Sequence, residues 1–570
     1  VLWLVACTGG QTPDKVQSGA GITIYQAQSV LTMDANEPVV GAVAVADGKI
    51  ADRGTLAALK TRYPAARTDE TFADKTIIPG LIDPHVHMSL SSLQYATKLS
   101  PPWQMATPDG VIEGLPTRAA FLAQIAAYIA EAPKGEPLVI YGFHNLVHGD
   151  LTRKDLDALT TDLPLIIWHY SSHDFYLNSA GLDWAGVTPD LHSQYEGIAL
   201  DETGALTGRV FEDAIPFLLT KLGPVLFTPE RLAKGLEGFS AMLRKGGVTS
   251  VADLGYGVTG RALEDANITA NWRAPDHAGY RLFLVPEHRA FKAEFGDSAP
   301  EVIGQMLAGE MSVPAPLLPQ VKFFADGAFY SQTMRVSEPG YLAGQSQGSE
   351  GLWVLEPDKI AGTIAPYWRA GFDVRIHSNG DAAQTASLAA LEVLRTENNE
   401  RRFVFEHAGL FSPDQVRRAA ALGASVSAAS HYVYFLGQAY QAPLGPERGA
   451  WISPLGSLIE AGVSVTLHSD APLAPPLPLR AASVHMTRAT REGVALTPTE
   501  ALTAQQALEA ITIDAARSMR MEDEIGSIRV GLLADFTVLE TNPLETPAKD
   551  WDEIGIWGTV LGGKLQPLAK

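Results

Sequence analysis

The sequence predicts an α/β protein: a (β/α)8 TIM barrel with a small composite β-sandwich domain built from both termini and a large insertion after barrel strand 1. Three observations point there. Short apolar segments alternate with amphipathic helical ones through the middle of the chain, the pattern of parallel βα units. Both ends carry short β-like runs separated by turn residues. The stretch between the first two barrel strands is also far longer than a βα connection requires.

In chain order, an apolar run ends in Leu4-Val5-Ala6-Cys7 and passes into a polar, small-residue tether. This resembles the lipobox of a bacterial lipoprotein signal, in which small residues suit a signal peptidase and the cysteine thiol takes the lipid. Residues 1–20 are therefore read as signal remnant and tether, with Cys7 as the lipidation site. The expected address is that of an exported lipoprotein, periplasmic or membrane-anchored; the alternative is cytoplasmic. With one cysteine the chain cannot form an internal disulfide.

Residues 21–78 and 525–570 are assigned to the composite β domain. Ile22–Tyr25 and Ala42–Ala46 read as strands, and Asp47-Gly48 before Lys49-Ile50 is a hairpin signal. At the far end, Ala534–Leu539 and Gly558–Leu565 have the same character. The barrel spans 79–524. Its strands are expected at Thr76–Asp83, Gly247–Ala252, Tyr280–Val285, Gln320–Ala325, Asp373–His377, Arg402–His407, Ala424–Ala429 and Ser464–Asp470. Ser412-Pro413 supplies an N-cap and first-turn proline for the helix after the sixth strand. The insertion, 89–244, is expected to act as a lid over the barrel mouth.

Among 570 residues, 43 Lys and Arg against 64 Asp and Glu leave a formal charge of −21, which disfavours nucleic acid as a partner. The expected partner is a small-molecule substrate. A membrane enters only through a lipid at Cys7, and a homo-oligomer stays open.

Chemistry in a TIM barrel sits at the C-terminal strand ends. The first strand runs into His85-Val86-His87, where the two-residue period of a strand lets both imidazoles face one cation. The fourth carries Lys322, the fifth ends at His377, the sixth at His407 and the eighth at Asp470. His468 shares the face of Asp470 and lies within reach of the same centre.

With these motifs in place, Pro79-Gly-Leu-Ile-Asp-Pro-His-Val-His87, Val321–Gly327, Ile376–Asp381, Phe405–Gly409 and Leu467–Pro472, the chain resembles the amidohydrolase superfamily. Within it, the chain resembles the branch of large metal-dependent hydrolases related to N-substituted formamide deformylases (the amidohydrolase 3 family). The resemblance implies His85 and His87 on a buried metal, His377 and His407 on a more exposed one, Asp470 at the first, and Lys322 as a bridge if carbamylated. An unmodified ammonium is a poor ligand, whereas a carbamate offers anionic oxygen. The implied cofactor is a divalent metal, one or two ions, with zinc favoured by nitrogen and oxygen donors.

The expected reaction is hydrolysis of an amide-like C–N bond, of N-substituted formamide or N-acyl type, by a metal-bound hydroxide with Asp470 as general acid and base. Ester, lactone or carbamate hydrolysis is the alternative on the same site, and a non-catalytic exported binding protein is a third reading. Four further residues are candidates for substrate contact: His173 in the insertion, Asp326 and Tyr330 after Lys322, and His431 after the seventh strand. The run Asp326–Ser331 departs from the small-residue version common in the branch. His144, His148 and His169 are assigned to solvent or packing.

Overall fold

The computed structural model describes residues 20–133, 135–273, 279–398 and 400–568; Cys7 lies outside the described residues. All eight expected strands of the central unit are present: β1 (Leu81–Val86), β2 (Val248–Tyr256), β3 (Arg281–Pro286), β4 (Gln320–Phe324), β5 (Asp373–Ser378), β6 (Phe403–His407), β7 (Ser425–Ala429) and β8 (Ser464–His468). Apart from the solvent-edge positions that open β3, β7 and β8 and the part-exposed Phe324 that ends β4, their residues are buried, as strands covered on both faces require.

Hydrogen bonding divides these strands into two parallel sheets, β3-β2-β1 and β4-β5-β6-β7-β8, rather than one closed ladder. Lone parallel bridges mark both seams, Val86 with Ala471 and Glu287 with Lys322. Between β3 and β4 the approach segment contains Pro314, Pro316 and Pro319, which lack the N–H that a ladder needs. At the other seam the chain after β8 reaches β1 by two bonds, Asp470 N–H to His85 carbonyl at 3.0 Å and His87 N–H to Ala471 carbonyl at 2.8 Å. That seam carries three of the expected ligands.

The first expected strand, Thr76–Asp83, is split at Gly80. Thr76–Pro79 completes strand Arg67–Pro79 of the terminal sheet, and β1 starts at Leu81. A side chain at Gly80 would lie 2.1 Å from Thr249 Oγ1, so the crossing requires glycine. The terminal sheet itself has seven strands drawn from both ends of the chain, with Phe536–Leu539 against Arg67–Pro79 at the junction. The Asp47-Gly48 hairpin is there, with φ of 50° and 75°, as a type I′ turn demands.

The region after β1 opens with helix Met88–Tyr95 and closes with helix Pro229–Lys245, which pack on each other so closely that a Cβ at Gly235 would stand 1.8 Å from Ser92 O. Thr228 caps the second helix, and Leu232, Leu236, Phe239 and Leu243 form its buried stripe. Between these two wall helices lies a six-stranded sheet with Leu138–Phe143, Leu165–His169 and Asp174–Leu177 at its centre. An aromatic cluster including Trp103, Tyr170, Tyr330, Tyr432 and Phe435 ties this sheet to the loops after β4 and β7. The inserted region is thus packed against those loops. Among the described residues no helix is long and apolar enough to cross a membrane.

Candidate metal centre

His85 Nε2 and His87 Nε2 stand 3.4 Å apart, and Asp470 Oδ1 lies 3.3 Å from the first and 3.2 Å from the second. Metal–ligand bonds of about 2.0–2.1 Å in a tetrahedron place ligand atoms about 3.3–3.4 Å from each other. Three atoms at the corners of such a triangle fit a divalent cation. Other partners fix which atom each imidazole presents. His85 Nδ1 is 2.6 Å from Glu406 Oε2, so Nδ1–H donates to the carboxylate and Nε2 keeps its lone pair. His377 Nε2 lies 3.1 Å from the Gly327 carbonyl and 3.0 Å from the Asn379 side-chain amide; with its proton given to that carbonyl, Nδ1 is the atom left to ligate.

The His377 and His407 rings are 4.6 Å apart, and His407 Nε2 is buried with no hydrogen-bond partner. Lys322 Nζ is likewise buried and unpartnered, and burial pushes its ammonium down to about 8. Burial holds His85 and His407 well below the ordinary imidazole range and His377 at about 3, so all three are neutral, as ligation requires. For Asp470, burial favours the neutral acid, but the polar edges of the His407 and His468 rings and the hydrogen bond from His87 outweigh it and hold the carboxyl well below its ordinary range. His407 and Asp470 both hold left-handed backbone, φ of 79° and 54°, a conformation costing a non-glycine residue roughly 1–3 kcal/mol.

The structure therefore brings His85, His87, Lys322, His377, His407 and Asp470 to one buried point. His173 reaches it from the insertion, with its ring 6.3 Å from His377 and its Nδ1 3.0 Å from Glu212 Oε2. Tyr330 and His431 stack at 5.2 Å with an interplanar angle of 25°, and the Tyr330 hydroxyl and both His431 nitrogens are buried without partners. Asp326 behaves differently. Its carboxylate accepts backbone N–H bonds from Asn379, Gly380 and Arg335 at 2.8–2.9 Å and so braces two loops. Of the two readings for His144, His148 and His169, packing holds: all three are buried within the inserted region, against Trp103, Phe121 and Phe143.

Three groups escaped sequence reasoning. Glu406 lies inside the Phe405–Gly409 motif, and a carboxylate in a fully buried strand is itself a signal. Arg375, 0% exposed, bonds Glu406 and the Pro84 carbonyl. Glu212 holds His173 and accepts from Thr333 Oγ1 at 2.8 Å. Burial works to lower His173, yet Glu212 outweighs it and the imidazole is raised above 6.5; burial works to raise Glu212, yet His173 and Thr333 hold it below 4.5. The His173 contribution to stability is present below 6.5 and lost as pH rises through the raised value, and the Glu212 contribution is lost as pH falls through the lowered one. Glu212→Gln should thus cost about 1–3 kcal/mol near pH 5.5 and less near pH 9 in denaturant titrations. Equal losses at both would refute the pairing.

A family model described as Amidohydrolase family matches residues 73–566, and one for an imidazolonepropionase-like composite domain of bacteria matches 41–66. The chain is 26% identical to Protein LONG AFTER FAR-RED 3 of Arabidopsis thaliana, over 94% of this chain and 90% of that one. It is also 26% identical to the N-substituted formamide deformylase of Arthrobacter pascens, over 94% and 97%. Among solved structures, an uncharacterized metal-dependent hydrolase from Pyrococcus horikoshii covers 92% of this chain and 99% of its own, with a TM-score of 0.68 and 20% identity. At that identity the likeness concerns the fold.

Proposed function

The chain belongs to the amidohydrolase family, hydrolases of carbon–nitrogen bonds, and on that premise we propose that it is a metal-dependent enzyme cleaving an amide-like C–N bond in a small N-formyl or N-acyl compound. The observation that carries this reading is the triangle of His85 Nε2, His87 Nε2 and Asp470 Oδ1. We read the two sheets as arcs of a (β/α)8 barrel whose β8–β1 seam holds that triangle. Zinc suits the donor set. His377 Nδ1 and His407 Nε2 would hold a second ion, with Lys322 between them as a carbamate, a reading supported by its buried, unpartnered and readily deprotonated amine.

A divalent ion supplies a Lewis acid there and lowers the pKa of water to about 7. The protein's own groups do the rest. Asp470 accepts a proton from the attacking water as its oxygen bonds to the carbonyl carbon, and passes that proton to the nitrogen as the C–N bond breaks. Tyr330 Oη and the His431 nitrogens, buried and unpartnered, are the donors and acceptors for the acyl group. Beyond His431 a mostly apolar recess, lined by Phe435, Ala474, Leu477 and Arg480, is where the substituent would lie.

The test is turnover of a panel of N-formyl, N-acyl and ester compounds by protein stripped with a chelator and then reloaded with zinc. Metal-restored cleavage of amides supports the proposal. Cleavage of esters alone moves the reaction to another bond, and no turnover at full metal loading overturns it.

A further inference from the structure

We propose that His468 and Ser427 form a proton-ordered support that fixes His407 as a ligand through Nε2. This rests on the reading of the centre as a metal site. The argument is a proton inventory. His407 Nε2 is buried and unpartnered, and its ring stands 4.6 Å from that of His377. A nitrogen that ligates carries no proton, so the neutral ring keeps its proton on Nδ1. Two acceptors lie near that atom: His468 Nε2 at 3.2 Å and Asp470 Oδ2 at 3.5 Å. The carboxylate is beyond good hydrogen-bond range. The bond therefore runs from His407 Nδ1–H to His468 Nε2, which places the His468 proton on its own Nδ1. That atom sits 2.7 Å from Ser427 Oγ, which accepts it.

The reverse order fails on the same inventory. If His468 donated from Nε2, His407 would carry its proton on Nε2, a buried N–H with no acceptor. The three links come from adjacent strands β6, β7 and β8, whose register sets Ser427 opposite Glu406 and Ala429 opposite His468, so the chain of bonds is held by the sheet itself. The three ligand histidines with a defined orienting contact thus use three different acceptors: a carboxylate for His85, a carbonyl for His377 and an imidazole for His407. His468 is a positioning residue. It also lies within a compact group with His85 and His407, and the test separates positioning from ligation.

The measurement is zinc affinity by chelator competition, with Co(II) absorption as a second readout. His468→Phe removes the acceptor and should weaken binding about 10–100-fold. His468→Asn keeps an amide oxygen that accepts from His407 Nδ1–H and should recover most of that loss with a wild-type Co(II) spectrum. Failure of Asn to rescue would mean that His468 is itself a ligand and would overturn the proposal, as would wild-type affinity in His468→Phe. If the Phe variant does not fold, Ser427→Ala decides: a weaker hold on zinc supports the support chain, and unchanged affinity overturns it. Wild-type protein that binds no divalent metal would instead overturn the metal-site reading itself, so the two failures are distinguishable.

Discussion

Asp470→Asn is expected to keep the fold and part of the bound metal while lowering kcat by about 10²–10⁴-fold, the range for loss of a general acid–base group. Asparagine preserves the size of the side chain and one oxygen that can face His85 and His87, and it tolerates the left-handed backbone at this position, φ 54°. What it cannot do is take up a proton. The aspartate suits the task because the polar edges of the His407 and His468 rings and the hydrogen bond from His87 offset the burial that would otherwise neutralise it. Kinetics should be read with metal content measured on the same sample. Near wild-type kcat at full loading would remove Asp470 from proton transfer.

The second large effect is expected at Arg375→Met. Arg375 and Glu406 are both 0% exposed. The guanidinium bonds Glu406 and also donates to the carbonyls of Ser518 at 3.0 Å and Pro84 at 3.2 Å. Removing it strands a buried carboxylate beside His85, which should cost about 3–5 kcal/mol in denaturant unfolding. The double variant Arg375→Met with Glu406→Leu should regain much of that stability, since two apolar groups can replace a buried pair at little cost. It should not regain metal affinity, expected to stay about 10–100-fold down, because His85 then lacks the acceptor that holds its proton on Nδ1. A double variant with wild-type affinity would show that Glu406 does not orient the ligand.

The strands and the ligand candidates were legible for one reason. A strand buried on both faces reads as a short apolar run, and a His, Lys or Asp at or near the end of such a run stands out against it, as at His85, His377, His407 and Asp470. The supporting groups were not legible, because their meaning lies in pairs from distant segments. Glu406 meets Arg375 and His85 across strands, and Glu212 meets His173 because Asp174–Leu177 and Leu206–Phe211 pair antiparallel within the inserted sheet. His468 was seen to face the centre, but its bond to His407 follows from the stagger of neighbouring strands. Asp326 shows the opposite error: read as facing substrate, it is taken up by three backbone amides. For His144, His148 and His169 the sequence left solvent and packing open, and the fold selects packing, against Trp103, Phe121 and Phe143.

By itself the sequence determined the α/β class, the eight apolar strands, the pairing of the two termini in one small β unit and the residue types available for metal chemistry, because these follow from local periodicity and composition. Tertiary structure decided the break at Gly80, the division of the strands into two sheets, the partners that set each imidazole's tautomer and the aromatic cover over the centre. These depend on which atoms from far-apart segments come within a few ångströms, and short-range contact of that kind is a property of packing that no local pattern encodes.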